Sequence, residues 1–140
     1  MCFSLSIISD YKNNNNITFN NELLQNIASN IPNSIIYTDY EVSGTNNYIK
    51  TNTSSTIIEI DDTNIENIIT IIELLIPITE LQIEYIYDDN NILYCSKKYL
   101  NNINKNLHNK SELIKKLEDN KKDINYSKLY KTLRVYKLLK

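Results

Sequence analysis

The chain has 140 residues and a net charge of −2, the size and charge of one ordinary domain. Such a chain buries roughly two-thirds of its unfolded surface, so it can fold without disulfides or metal ions. Cys2 and Cys95 form no CxxC pair, and no apolar run approaches the roughly 20 residues that span a bilayer. Residues 1–8 lack the basic start of a signal peptide. We therefore expect a cytoplasmic protein with reduced thiols and no membrane partner.

The composition is dominated by Asn, Ile, Lys and Tyr and includes a single glycine. This bias is typical of very AT-rich genomes, those of some large DNA viruses among them. A viral source would add the virion as a location. The scarcity of glycine also means that missing glycine motifs exclude little.

The first sixty residues predict strands and one helix. Alternating apolar residues over 3–8 predict a strand, and an apolar face over 18–31 predicts a helix that ends at Pro32. Residues 35–42 alternate again and predict the second strand. The polar stretch 43–55 is interpreted as a loop or long hairpin connection, and the β-branched run 56–60 predicts the third strand.

The central helix is predicted over residues 63–76. Thr63 and Glu66 have the spacing of a capping box, and Pro77 ends the helix. A narrow polar stripe on a mostly isoleucine surface indicates a helix that lies on a sheet. Three of its residues should be nearly fully buried there: Ile68, Ile72 and Leu75.

A hairpin should follow, with strands over 81–87 and 92–96 and a turn over 88–91. The element order up to residue 96 is strand, helix, strand, strand, helix, strand, plus one extra hairpin strand. This order resembles that of ferredoxin-like domains, which implies an α+β fold with two helices on one face of a small antiparallel sheet. The alternative is another small α/β sandwich.

The charge distribution divides the chain. Residues 1–104 hold four basic and thirteen acidic residues, a net charge of −9, whereas residues 105–140 hold eleven basic and four acidic ones, a net charge of +7. We predict an acidic α+β domain over 1–100, a polar linker over 101–110 and a basic helical C-terminal extension over 111–140. The extension either folds onto its own domain or that of a second copy, meets an acidic partner protein, or touches nucleic acid.

Within the extension, a helix over 111–119 and a final helix over 124–139, capped by Asp123, are predicted. The final helix gathers tyrosine and leucine within an arc of about 120°. These are the predicted partner-binding residues: Tyr126, Leu129, Tyr130, Leu133 and Tyr136. The basic residues of this helix are the alternative, nucleic-acid-binding set: Lys128, Lys131, Arg134 and Lys137.

Catalytic chemistry has little support in the sequence. Carboxylates at a strand end and in the hairpin turn could hold Mg²⁺, but acidic residues are also common before helices and in turns. Those residues are Glu59, Asp61, Asp62, Asp88 and Asp89. A Cys95–His108 pair is conceivable, yet a thiol in a hairpin is more often inert packing. We expect no catalytic site, metal or cofactor. The predicted function is that of a small accessory subunit which binds a protein or a second copy of itself, with a nucleic-acid-associated factor as the alternative.

Overall fold

The computed structural model describes residues 2–9, 26, 29–30, 35–38, 48–51, 57–77, 81–103 and 110–138. Its strands are β1 (Phe3–Ser9), β2 (Ile35–Thr38), β3 (Tyr48–Thr51), β4 (Ile57–Asp62), β5 (Leu81–Asp88) and β6 (Asn91–Cys95). They form one sheet in the order β2-β3-β4-β1-β5-β6. The β2–β3 pair is parallel and the other neighbours are antiparallel. The predicted α+β class is confirmed.

Helices occupy much of the rest of the described chain. They are α1 (Ile65–Leu75), α2 (Lys97–Ile103), α3 (Lys110–Lys121), a 3-10 turn (Ile124–Tyr126) and α4 (Ser127–Val135). None of these described helices has the length and apolar character needed to cross a membrane. Of the helix predicted over 18–31, Asn26 and Ser29 are helical, and most of the other residues lie outside the described part.

Strand β1 lies in the middle of the sheet. Leu5 faces Ile60 of β4 on one side and Ile86 of β5 on the other, and all three side chains are buried. Alternation along the strand places its odd-numbered residues on this apolar face. The face they form is one wall of the hydrophobic core.

Helix α1 covers part of that wall, in contact with β1 and β4. Ile68 and Ile72 are 0 % exposed and Leu75 is 1 % exposed, which confirms the predicted burial. The helix ends at Leu75, before Pro77, as predicted. Because isoleucine is a mediocre helix former, packing on the sheet supplies much of the stability of this helix.

The N-cap of α1 corrects the sequence prediction. Asn64, not Thr63, is the cap: its Oδ1 accepts a hydrogen bond from the Glu66 backbone N–H at 2.9 Å. Asp62, which is fully buried, accepts from the Asn64 backbone N–H at 2.7 Å and from the Asn67 side chain at 2.9 Å. The helix begins one residue later than predicted because the Asp62 carboxylate, at the end of β4, holds Asn64 and Asn67 in the turn that leads into it.

Two stretches predicted to be irregular form regular structure. Strand β3 lies within the predicted loop 43–55, paired with β4 in a register that sets Ile49 opposite Ile60. Pairing with neighbouring strands outweighs the polar composition there. Helix α2 extends through Ile103, into the predicted polar linker 101–110, and the Ser96 hydroxyl accepts from the Tyr99 backbone N–H at its first turn.

The strand order bears on the predicted fold. Strand β6 lies beside β5, so the extra hairpin strand extends the sheet as predicted. Strand β3, however, lies between β2 and β4, which a ferredoxin-like order would pair directly. The ferredoxin-like order is therefore not confirmed. The boundaries of the three predicted segments stay a prediction.

Candidate functional site

The C-terminal helices pack on the chain's own sheet domain. Leu129, Tyr130 and Leu133 of α4 are 0 % exposed and belong to the same core as β1 and α1. Tyr126 and Tyr136 are partly buried against that core. Three of the five residues predicted to bind a partner are therefore buried in the interior of this molecule and the other two lie at its edge, and α4 lies next to α1.

Hydrogen bonds fix the position of α4. The Tyr130 hydroxyl donates to the Leu93 carbonyl at 2.6 Å, within the buried core. The Tyr126 hydroxyl donates to Oδ2 of Asp88, which is 8 % exposed, at 2.7 Å. A buried carbonyl or carboxylate without a partner is costly, so these bonds favour one register of the helix.

Helix α3 is attached in a similar way. The Asn120 side-chain amide donates to the Ile92 carbonyl at 2.7 Å and to Oδ1 of Asn91 at 2.9 Å. Both acceptors belong to β6, which is an edge strand of the sheet. The helix contacts this edge strand, so it covers a side on which another chain could otherwise add.

The two tyrosines of this interface keep their protons. Burial is the main reason that the pKa of Tyr130 is raised, and nearby Tyr126 and Asp123 add to the effect. Burial also raises the pKa of Tyr126, and its hydrogen bond to Asp88 raises it further. Both hydroxyls are therefore donors at neutral pH, as their hydrogen bonds require.

The opposite side of α4 is basic. It carries Lys128, Lys131, Arg134 and, just beyond the helix, Lys137, and we call these four residues the basic face; all are exposed. Lys128 forms an ion pair of 2.6 Å with Glu66. Within the described chain, the other three have no ion pair. Residues 124–140 include five basic and no acidic residues, so α4 itself contributes only positive charge to this surface, while Glu66 and Glu73 of α1 lie beside it.

A shallow groove lies between α1 and α4, beside the basic face. We call it the α1–α4 groove; its volume is about 280 Å³, and it is lined by Glu73, Lys128, Lys131, Thr132, Val135 and Tyr136. Val135 is 67 % exposed, and Tyr136 beside it is half-buried. The groove thus joins an apolar surface to charged rims.

The final helix is shorter than the predicted 124–139. Asp123 caps the chain as predicted, with its carboxylate accepting from the Asn125 N–H at 2.9 Å, but it caps a 3-10 turn that precedes α4. At the other end Lys137 has a positive φ of 59° and the Leu138 N–H bonds to the Leu133 carbonyl. This left-handed residue ends the helix, and Leu138 turns back to pack on the core.

Three of the five acidic candidates accept hydrogen bonds within the fold. Asp62 and Asp88 accept the hydrogen bonds given above, and Asp89 accepts from the Cys2 backbone N–H at 3.0 Å. Among the described residues, no group of three or more His, Cys, Asp or Glu is placed to hold a metal ion. Burial raises the pKa of the Cys95 thiol, which disfavours a nucleophilic thiolate. Its suggested partner, His108, lies outside the described residues.

Sequence reasoning missed a tyrosine cluster on the other face of the sheet. The rings of Tyr85 and Tyr99 lie 5.0 Å apart, and the hydroxyls of Tyr87 and Tyr99 are 3.3 Å apart. Alternation along β5 already placed Tyr85 and Tyr87 on one face, but Tyr99 joins them only because α2 is helical. The cluster fastens α2 to the sheet.

No family model, curated protein or solved structure matches this chain. The basic face and the α1–α4 groove are therefore the features on which a functional proposal depends.

Proposed function

We propose that this protein is a non-enzymatic accessory subunit that docks on an acidic surface of a partner protein through its basic face. One observation carries the proposal. The tyrosine and leucine side of α4 is occupied by the protein's own core, whereas Lys131, Arg134 and Lys137 are exposed and have no ion pair within the described chain. The surface of this helix that remains available is therefore mainly charged, with Val135 as its exposed aliphatic residue.

The charge distribution gives this surface a directing role. A basic face on a molecule whose first 104 residues have a net charge of −9 makes a strongly dipolar protein. Such a field orients an acidic partner toward the basic face during approach and raises the association rate. Exposed charges alone add little affinity, because each surface pair contributes about 0–1 kcal/mol.

A nucleic-acid-associated factor is the second candidate, since the same residues could contact phosphates. This candidate is favoured by the exposed basic residues along α4, which are lysines and one arginine. The net charge of −2 and the single arginine oppose it, because nucleic-acid-binding domains are usually strongly basic.

Titration of the purified protein with poly-glutamate and with mixed-sequence duplex DNA, each at two salt concentrations, separates the two candidates. We expect binding of poly-glutamate, weakened by the double substitution Lys131→Gln and Arg134→Gln. The matched control is Lys115→Gln with Lys116→Gln, which removes two exposed lysines of α3. An equal effect of the control pair, or no binding of poly-glutamate, would contradict the proposal.

DNA binding has its own signature. The logarithm of DNA affinity falls linearly with the logarithm of the salt concentration, and the steepness of this slope should decrease by about one for each phosphate-contacting lysine that is lost. Tight, strongly salt-dependent DNA binding with that signature would support the nucleic-acid candidate instead. Sedimentation of the protein alone tests whether a second copy supplies the acidic surface.

A further inference from the structure

We infer that the α1–α4 groove receives one apolar side chain from an acidic segment of the partner protein. This inference rests on the proposed function and adds the chemistry of the partner: carboxylates for the basic face, and an aliphatic or aromatic side chain for the groove. The occupant is therefore a protein segment and not a polyanion alone.

The shape of the groove supports this occupant. Val135 is 67 % exposed and the half-buried Tyr136 lies beside it, so the groove has an apolar surface that water covers in the free protein. A volume of about 280 Å³ lies at or below the small end of ligand pockets, which begin at about 300 Å³. That space suits a single inserted side chain.

Two of the polar residues that line the groove already have partners within the protein. The Thr132 hydroxyl already donates to the Lys128 carbonyl at 3.1 Å, within the same helix. Lys128 is engaged with Glu66. Lys131 is thus the rim cation without an ion pair in the described chain, and it can meet a partner carboxylate.

The two rims of the groove differ in charge, and this difference orients the occupant. Lys131 lies on the α4 rim and Glu73 on the α1 rim, both exposed, and the described structure has no ion pair between them. A partner carboxylate is attracted to the first and repelled by the second. A phosphate backbone, with charge on every unit, would suffer the same repulsion without filling the apolar surface, which disfavours nucleic acid here.

The test uses two fluorescein-labelled peptides rich in Glu and Asp that are identical except for a central Leu or Ser. Anisotropy should show the Leu peptide binding about five- to tenfold more tightly, the effect of partly burying one aliphatic side chain. Val135→Ser should abolish this preference. Lys131→Gln should weaken both peptides by about two- to fivefold, as expected for an exposed ion pair. Glu73→Gln should strengthen both, because it removes the repulsive rim.

Ile124→Ser is the matched control, since Ile124 is 83 % exposed but does not line the groove. It should leave the Leu preference unchanged. Circular dichroism checks that each variant is folded. We expect all of them to be, because substitutions at exposed positions usually change stability little.

Each adverse result has a distinct meaning. Equal affinity for the two peptides, with Lys131→Gln still weakening both, would overturn the groove inference and leave the proposed function standing. Failure of both peptides to bind would overturn both proposals. DNA that binds more tightly than the Leu peptide, and is weakened by Lys131→Gln but not by Val135→Ser, would replace the protein segment with nucleic acid.

Discussion

Truncation of Leu133 tests whether α4 is part of the folded core. Leu133→Ala should lower the free energy of unfolding by about 2–5 kcal/mol, the range for large-to-small changes in cores. Val135→Ala, two residues further along the same helix, should change it by less than about 0.5 kcal/mol. Both substitutions truncate an aliphatic side chain to alanine in one helix, and helix propensity contributes at most about 0.7 kcal/mol to the difference, well below the expected effect of the core cavity.

The magnitude follows from the burial of the two side chains. Leu133 is 0 % exposed and lies in the same core cluster as Leu5 and Ile72, whereas Val135 is 67 % exposed. Truncating Leu133 removes its apolar contacts and leaves a cavity that the sheet and α1 can fill only in part. Since domains are stable by about 5–15 kcal/mol, the expected loss is a large fraction of the total.

Urea denaturation measures this difference, with far-UV circular dichroism for the helices and tyrosine fluorescence for the core. The chain has eleven tyrosines and no tryptophan, so the fluorescence comes from tyrosine. Both signals should change together in a single transition. Equal midpoints for the Leu133 and Val135 variants, or a separate early loss of helical signal, would refute the placement of α4 in the core.

The same measurement checks four further predictions. Ile72→Ala should lower the free energy of unfolding by about 2–5 kcal/mol, and a decrease of less than about 0.5 kcal/mol would mean that α1 is not the central helix. Asn64→Ala should cost about 1 kcal/mol and Thr63→Ala clearly less, the reverse of what a Thr63 cap requires. Lys137→Gly should add about 0.5–1 kcal/mol by relieving the positive φ; a loss would contradict this. Because the fold raises the pKa of Tyr130, stability should fall as the pH rises above about 10, and Tyr130→Phe should make that fall less steep.

Much of the sheet domain is predictable from periodicity. Alternation over Leu81–Asp88 predicts the element type, and the isoleucine-rich run of α1 predicts both element type and buried face. The buried face of β5 is predicted only in part: strict alternation groups Tyr85 and Tyr87 with Leu81 and Ile83, but a register shift against β1 turns the two tyrosines to the other face and buries Ile86. Proline placed the end of α1 correctly. The cap was assigned one residue early because Thr63 and Asn64 are both good caps, and the choice depends on Asp62, whose position only the fold determines.

The rest depends on contacts between distant parts of the chain. Strand β3 is a run of only four residues, Tyr48–Thr51, inside a mostly polar stretch, and its pairing with β2 and β4 distinguishes it from the rest of that stretch. The apolar side of α4 was recognised, and an apolar side must be covered, but periodicity does not say by what. The covering surface is the chain's own sheet, with a hydrogen bond from Tyr130 to the Leu93 carbonyl, 37 residues earlier. The exposed groove beside Val135 requires α1 and α4 together, so the sequence could not predict it.

The long separation between the sheet and the helix that covers it affects how the protein folds during synthesis. The last strand that the structure describes ends at Cys95, and Leu133 follows 38 residues later. At about 5–20 residues per second, the ribosome needs roughly 2–8 s for that interval. During it the sheet lacks the side chains of α4, and the apolar surface they later bury stays open to other nascent chains. We therefore expect a dependence on chaperones that bind exposed apolar surface, which slower translation of residues 96–133 should increase.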